Sequence, residues 1–247
     1  MSKGIIYVNS AHESSRYLRE AEASAKSFKR FIHDVTFVLY TNATAFHSGA
    51  FDHVKSASFD IPPRLQGTDH KNGQMVAKHS VLGETPFDKT LYLGSDTYAL
   101  KPEVTSLFRL LDHFDLAAAH APLRINTYWR NSSIPEIPVC FPEFNCDVVL
   151  YRKNDAVLSF LRQWRELYLE HAFQHPHDQG AFRYLAYFSK LRIAALPPEY
   201  NYRGRTVRSD TVILQNRKLL PAYIARKTGH VTLLRERARG LILRLLS

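Results

Sequence analysis

Phe87-Asp88-Lys89-Thr90-Leu91-Tyr92-Leu93-Gly94-Ser95-Asp96-Thr97-Tyr98-Ala99 sets a short apolar run between polar flanks. Leu91 to Leu93 reads as a buried strand stopped by Gly94-Ser95. Asp96 follows at once, at the strand's carboxyl end. In open α/β sheets that end faces the ligand crevice. Taken with its neighbours only, Asp96 has two readings: a ligand-facing acid, or an ordinary turn and capping residue.

Outward from this stretch the chain alternates strands and helices. Gly4 to Asn9 reads as the first strand. Ser14 to Ile32 carries Tyr17, Ala21, Ala25, Phe28 and Ile32 at steps of three and four, an amphipathic helix. Val35 to Tyr40 and Val54 to Phe59 read as strands, and Ile61-Pro62-Pro63 breaks regular structure. Arg64 to Gly73 reads as a loop and Gln74 to Leu82 as a helix. Val104, Leu107, Phe108 and Leu111 mark a further helix, and Asp115 to Ala119 a strand. Arg124 to Glu143, rich in proline, is expected to be a long loop, the kind usually tied to function. Then come a strand at Phe144 to Tyr151, a strong helix at Asp155 to His171, a shorter one at Asp178 to Tyr187, and strands at Leu191 to Leu196 and Val212 to Leu214. This alternation predicts an α/β fold with a mostly parallel central sheet flanked by helices.

At 247 residues, one main domain is the economical expectation: residues 1–232, followed by a basic amphipathic tail at 233–247. The 45% hydrophobic content excludes a disordered chain. No apolar run approaches the roughly 20 residues of a membrane span. The N-terminus enters a strand directly and lacks a signal-peptide pattern, so a cytoplasmic location is expected. Cys140 and Cys146 form no disulfide framework and lack zinc-ligand spacing, which predicts reduced, partly buried thiols. Lys and Arg number 33 against 23 Asp and Glu, an excess that suits an anionic partner. No zinc-finger or RNA-binding motif accompanies the charge, so nucleic acid is not expected.

Pro86 to Thr97 resembles the Asp-x-Asp segment of GT-A glycosyltransferases, especially those similar to family 8. The likeness continues in order through Phe144-Asn145-Cys146-Asp147-Val148-Val149-Leu150-Tyr151, Asp178-Gln179-Gly180-Ala181-Phe182, Leu196-Pro197-Pro198-Glu199-Tyr200-Asn201 and Val212-Ile213-Leu214-Gln215, over roughly residues 4 to 216. The resemblance implies a GT-A (Rossmann-like) domain and transfer of a sugar from a nucleotide-diphosphate sugar, most simply a UDP-sugar, to a glycolipid, polysaccharide or protein. The alternative is a nucleotide-sugar binding protein impaired in turnover. A sugar-nucleotide pyrophosphorylase fits less well, because Asn9 to Arg16 contains no glycine where those enzymes have a Gly-rich loop.

The resemblance also supplies candidate residues. Asp178 and Gln179 match the pair that approaches the transferred sugar; Asp178 also reads as a plain helix cap. Lys78, Ser95, Asp96, Asn145 and Arg203 are candidates for donor binding, with Lys78 alternatively a solvated helix lysine. Asp96 is the candidate metal ligand. Two other usual ligand positions hold Gly94 instead of Asp and Gln215 instead of His, so a manganese or magnesium ion is expected to be weakly held or to arrive with the nucleotide. Asp147 stands where the family usually has glycine; it is either a surface acid or an added polar contact. Arg203, Arg205, Arg208, Arg217 and Lys218 offer positive charge in place of a full metal shell, or a solvated basic face. His175, His177 and His230 are weaker ligand candidates. In the tail, Leu234, Ala238, Leu241, Ile242 and Leu245 share one helical face beside Arg235, Arg237, Arg239 and Arg244. It reads either as a helix packed on the domain or as an anchor to anionic membrane.

Overall fold

The computed structural model describes residues 1–10, 16–65, 70–121, 137–138, 140–171, 177–216 and 218. The strands are β1 (Lys3–Asn9), β2 (Thr36–Thr41), β3 (His53–Ser56), β4 (Lys89–Leu93), β5 (Thr97–Ala99), β6 (Leu116–His120), β7 (Phe144–Arg152), β8 (Ile193–Leu196) and β9 (Ile213–Gln215). The helices are α1 (Arg16–Lys29), α2 (His70–Leu82), α3 (Asp155–His171) and α4 (Gln179–Phe188). Three 3-10 segments, Pro63–Leu65, Pro102–Asp112 and Pro198–Asn201, complete the elements.

The main sheet has the order β3-β2-β1-β4-β7-β6-β8. β3, β2, β1 and β4 pair in parallel, as do β6 and β8. β7 alone is reversed, pairing antiparallel with β4 and with β6. The expectation of a mostly parallel sheet therefore holds. β5 and β9 form a small antiparallel ribbon that places Gln215 opposite Thr97, one residue past Asp96.

Two apolar cores sandwich the sheet. On one face Ile5, Tyr7, Leu91 and Leu93 pack with Leu18, Ala21 and Phe28 of α1 and with Val104, Leu107 and Leu111 of the 3-10 segment. On the other, Ile6, Val8, Tyr92 and Val149 pack with α2, α3 and α4 through Val76, Trp164 and Phe182. Alternate residues of each central strand serve opposite cores, which is why these strands read as continuous apolar runs.

Several local expectations need correcting. His70 to Gly73 belong to α2 rather than to a loop; a side chain at Gly73 would only touch Ile61 at 3.4 Å, so the helix passes through this glycine without crowding. β3 ends at Ser56 rather than Phe59, because its partner β2 runs out at Thr41, the residue paired with Ser56. The helix expected around Val104 to Leu111 has 3-10 winding. The thiols are free as expected, but only Cys146 is buried and Cys140 is exposed. The long loop from Arg124 falls largely on 122–136, and the tail wholly on 219–247; both lie outside the described residues.

Gly4 shows how the entry to the decisive strand is packed. A Cβ at Gly4 would overlap the ring of Phe87, which the chain lays over β1 just before β4 begins. Gly4→Ala is expected to lower stability by about 1–3 kcal/mol, the usual cost of overpacking. Urea unfolding measures it, and Gly4→Ala combined with Phe87→Leu should recover part of the loss.

Candidate active site

Several of the candidate residues gather past the carboxyl end of β4, around Asp147. Gly94 to Thr97 form a tight turn after β4: the Thr97 N–H donates to the Gly94 carbonyl at 3.2 Å, and the Thr97 hydroxyl donates to the same oxygen at 2.7 Å. Ser95 and Asp96 sit at the tip of this turn, both half-buried.

Beneath the turn lies a buried ion pair between Lys78 of α2 and Asp178, with side-chain exposures of 1% and 4%. Asp178 precedes α4 but makes no side-chain cap. The capping reading fails because its carboxylate turns inward to Lys78 instead. The solvated-lysine reading of Lys78 fails for the same reason. Lys78 Nζ lies 4.8 Å from the Trp164 ring and 5.5 Å from that of Tyr92. His79 Nε2 is 3.2 Å from the same carboxylate, and its ring meets Trp164 edge-on at 4.5 Å. The Trp164 indole N–H donates to the Asp178 carbonyl at 3.0 Å. His79 and Trp164 were not among the sequence candidates for the site; the signals available were that His79 adjoins Lys78 and that Trp164 lies on the apolar stripe of α3.

Charge distribution follows from this burial. Burial alone would raise the Asp178 pKa, but Lys78 and His79 hold it well below the carboxylate range. Burial likewise works to lower Lys78, and the facing Asp178 outweighs it, so the ammonium is retained. Burial pushes His79 down to about 4, leaving it neutral at pH 7.

A second cluster links β7 and β9. The Asn145 side-chain amide donates to Gln215 Oε1 at 2.8 Å, and Asn145 Oδ1 accepts from the Asp147 N–H at 2.9 Å. The Gln215 amide nitrogen donates to Asp147 Oδ2. Asn145 and Gln215 are buried, so the position where the family has His is filled by an amide already engaged with an acid. Asp147 is pushed up to about 6 by its burial and by the negative charge of Asp96, with Lys78 and Arg203 opposing. Arg203 itself is exposed. Asp147 is thus not a surface acid.

The remaining candidates divide. Gln179 opens α4 and is half-buried. Arg208 is committed elsewhere: it pairs with Asp210 and lies 3.6 Å from Glu199. Arg205 and Lys218 are exposed, and His177 is exposed at the approach to α4. Arg217, His175 and His230 lie outside the described residues. Among the described residues no group of three or more His, Cys, Asp or Glu converges as a metal site. Asn201 is buried, and both its amide atoms lack a hydrogen-bond partner among the described residues. A separate cleft of about 460 Å³, lined by Leu107, Leu110, Leu196, Pro197 and Tyr200, contains none of the candidates.

Two outcomes are expected. Lys78→Met leaves Asp178 buried without its counter-charge and should cost about 3–5 kcal/mol in denaturant unfolding, while Lys78→Met with Asp178→Leu should regain much of this. The second concerns pH. His79 binds its proton less readily folded than unfolded, so its stability contribution is complete above about pH 6.5 and lost as pH falls toward 4. Asp147 binds its proton more readily folded, so its contribution is present at low pH and lost as pH rises from 3.8 through 6. The two oppose between pH 4 and 6. Asp147→Asn should therefore steepen the loss of stability on acidification across that window, read by urea unfolding at a series of pH values.

Known proteins place this architecture. No family model and no curated relative matches the sequence. Solved structures do. The galactosyltransferase LgtC, crystallised in complex with donor and acceptor sugar analogues, aligns with a TM-score of 0.55 at 16% identity, over 96% of this chain and 99% of that one. The glycosyltransferase GlyE of Streptococcus pneumoniae TIGR4 aligns with a TM-score of 0.59 at 15% identity, over 99% of this chain and 63% of that one. A glycosyltransferase involved in glycosylation of the major capsid of PBCV-1 aligns at 0.54 and 12%, over 100% and 99%. These alignments span nearly all of this chain, which has the GT-A fold of the glycosyltransferases.

Proposed function

We propose that the protein is a glycosyltransferase that takes a nucleotide-diphosphate sugar, most simply a UDP-sugar, as donor. The observation that carries this reading is the cluster past the carboxyl end of β4, where Asn145 and Gln215 hold Asp147 and the charges of Asp96 and Asp178 act on it, drawn from segments far apart in sequence. Glycosyl transfer develops positive charge at the anomeric carbon and negative charge on the departing diphosphate. Groups fixed before reaction stabilise both. Asp178 and Gln179 stand at the start of α4 as candidates to face the sugar. Lys78 is a positioning residue: it keeps Asp178 ionised and fixed. Asn145 is held by Gln215 and offers a preset amide beside the donor. Arg203, exposed yet acting on Asp147, supplies cationic charge toward the diphosphate.

A divalent cation fits the residues present in a limited way. Such an ion on a nucleoside diphosphate typically needs only one or two protein carboxylates, with phosphate oxygens and waters completing the shell. Asp96 is the ligand inherited from the motif. The ion neutralises the leaving diphosphate when bound; Asp96 orients it. With so few protein ligands, Asp96 would hold such an ion only weakly until a nucleotide diphosphate is bound.

A panel of nucleotide sugars read by saturation-transfer NMR tests the donor, with UDP-sugars expected to bind. Binding without donor hydrolysis or transfer under any metal condition would favour the impaired binding protein instead. Asp96→Asn should keep the circular dichroism spectrum and lose at least ~100-fold in transfer, the scale of removing a key electrostatic group. Full activity in that folded variant overturns the assignment. For residues 233–247 we retain the reading of an anchor that brings the enzyme to a membrane-bound acceptor. Co-sedimentation with anionic liposomes should then fall when those residues are removed; equal binding by both forms excludes the tail as anchor.

A further inference from the structure

Gly94 and Asp147 depart from the pattern separately in the sequence and meet in the fold. The β4–β7 register pairs Leu93 with Val148, and continuing it one step sets Gly94 opposite Asp147. The Gly94 N–H donates to the Asp147 carbonyl at 2.8 Å, which confirms that step. A Cβ built on Gly94 would find Asp147 Oδ1 at 2.9 Å, Cβ at 3.0 Å and Cγ at 3.1 Å as its three nearest neighbours. The Asp147 side chain therefore fills the space into which a side chain at position 94 would grow. The pair has room for one carboxylate, and the chain carries it on β7.

The strand is shaped for this. β6 pairs Ala118 with Val149 but Ala119 with Asn145, so Cys146, Asp147 and Val148 form an irregularity in the ladder. Bulges of this kind re-aim side chains beside functional sites. Two hydrogen bonds then fix the acid: its backbone N–H donates to Asn145 Oδ1, and its Oδ2 accepts from Gln215. Of the two carboxylate oxygens, Oδ1 is the one that lies against Gly94. An acid that served only to anchor Gln215 would not need to lie over the Gly94–Asp96 turn.

We propose that Asp147 replaces the carboxylate absent at position 94, and that Asp147 and Asp96 together hold the divalent cation of a bound nucleoside diphosphate. This rests on the proposed glycosyltransferase reading for its ligand, but assigns a ligand pair on two strands in place of two residues of one turn. Gln215 then acts as a positioning residue that orients the Asp147 carboxylate rather than as a ligand itself.

The experiment measures manganese binding by water-proton relaxation, on the full chain, with and without UDP. Five proteins are compared: wild type, Asp147→Asn, Asp147→Gly, Gly94→Asp, and the exchange Gly94→Asp with Asp147→Gly. Asp147→Asn keeps a side-chain oxygen to accept from Gln215, so the fold is preserved. It should weaken manganese in the presence of UDP by at least ~10-fold, the lower end of what losing even an outer partner of a metal site costs. The exchange returns a carboxylate to the same space from the other strand and should recover binding to within about 3-fold of wild type. Gly94→Asp alone crowds Asp147 and should lower the unfolding midpoint; the exchange should restore it.

Unchanged manganese affinity in Asp147→Asn overturns the proposal. So does an exchange variant that binds no better than Asp147→Gly. Wild type that binds UDP as tightly in chelator as in manganese also overturns it while leaving the glycosyltransferase reading standing. Manganese binding that depends on Asp147 in a protein that takes no nucleotide sugar has the opposite meaning: the ligand pair stands and the donor reading falls.

Discussion

The site depends on the pairing of Lys78 with Asp178. Two charges removed from water cost several kcal/mol each, and only close, well-oriented partners offset that. Here the ammonium sits between the Asp178 carboxylate and the faces of Trp164 and Tyr92. Tyr92 comes from β4, Lys78 from α2, Trp164 from α3, and Asp178 from the entry to α4. One ion pair therefore ties the central strand to all three helices of that face. The Trp164 indole adds a bond to the Asp178 backbone, so the start of α4 is fixed by side chain and main chain together.

That fixing has a chemical consequence. Gln179 follows Asp178 directly, so its place at the mouth of the sheet is inherited from the buried pair. Opposite it, the β5–β9 ribbon brings Gln215 beside the turn that holds Asp96, and Asn145 and Asp147 reach the same place from β7. The result is an acidic side made of Asp96 and Asp147, set close to buried Lys78 and exposed Arg203. Burial, and after it the negative charge of nearby Asp96, raise the Asp147 pKa.

Much of the fold is set by local sequence. The apolar runs at Ile5 to Val8 and Leu91 to Leu93, the period of Val157, Phe160, Leu161, Trp164 and Tyr168 in α3, and the proline break after Ile61 each carry their own signal. The misses come from partners distant in sequence. β3 stops where β2 stops, and β5 exists only because β9 returns to pair with it. A three-residue strand has no periodicity of its own to read.

The same division runs through the site. The sequence by itself determined which residues carry the motif and that Gly94, Asp147 and Gln215 depart from it, because residue identity and order along the chain need no third dimension. It also left Lys78 and Asp178 each with an ordinary surface reading. Only the tertiary structure decided that these two charges are buried against each other, since burial is a property of what packs around a helix and not of the helix. Only the antiparallel β4–β7 register decided that Asp147 lies over Gly94. Fifty-three residues separate them, and a register one residue different would have turned that carboxylate to the opposite face of the sheet.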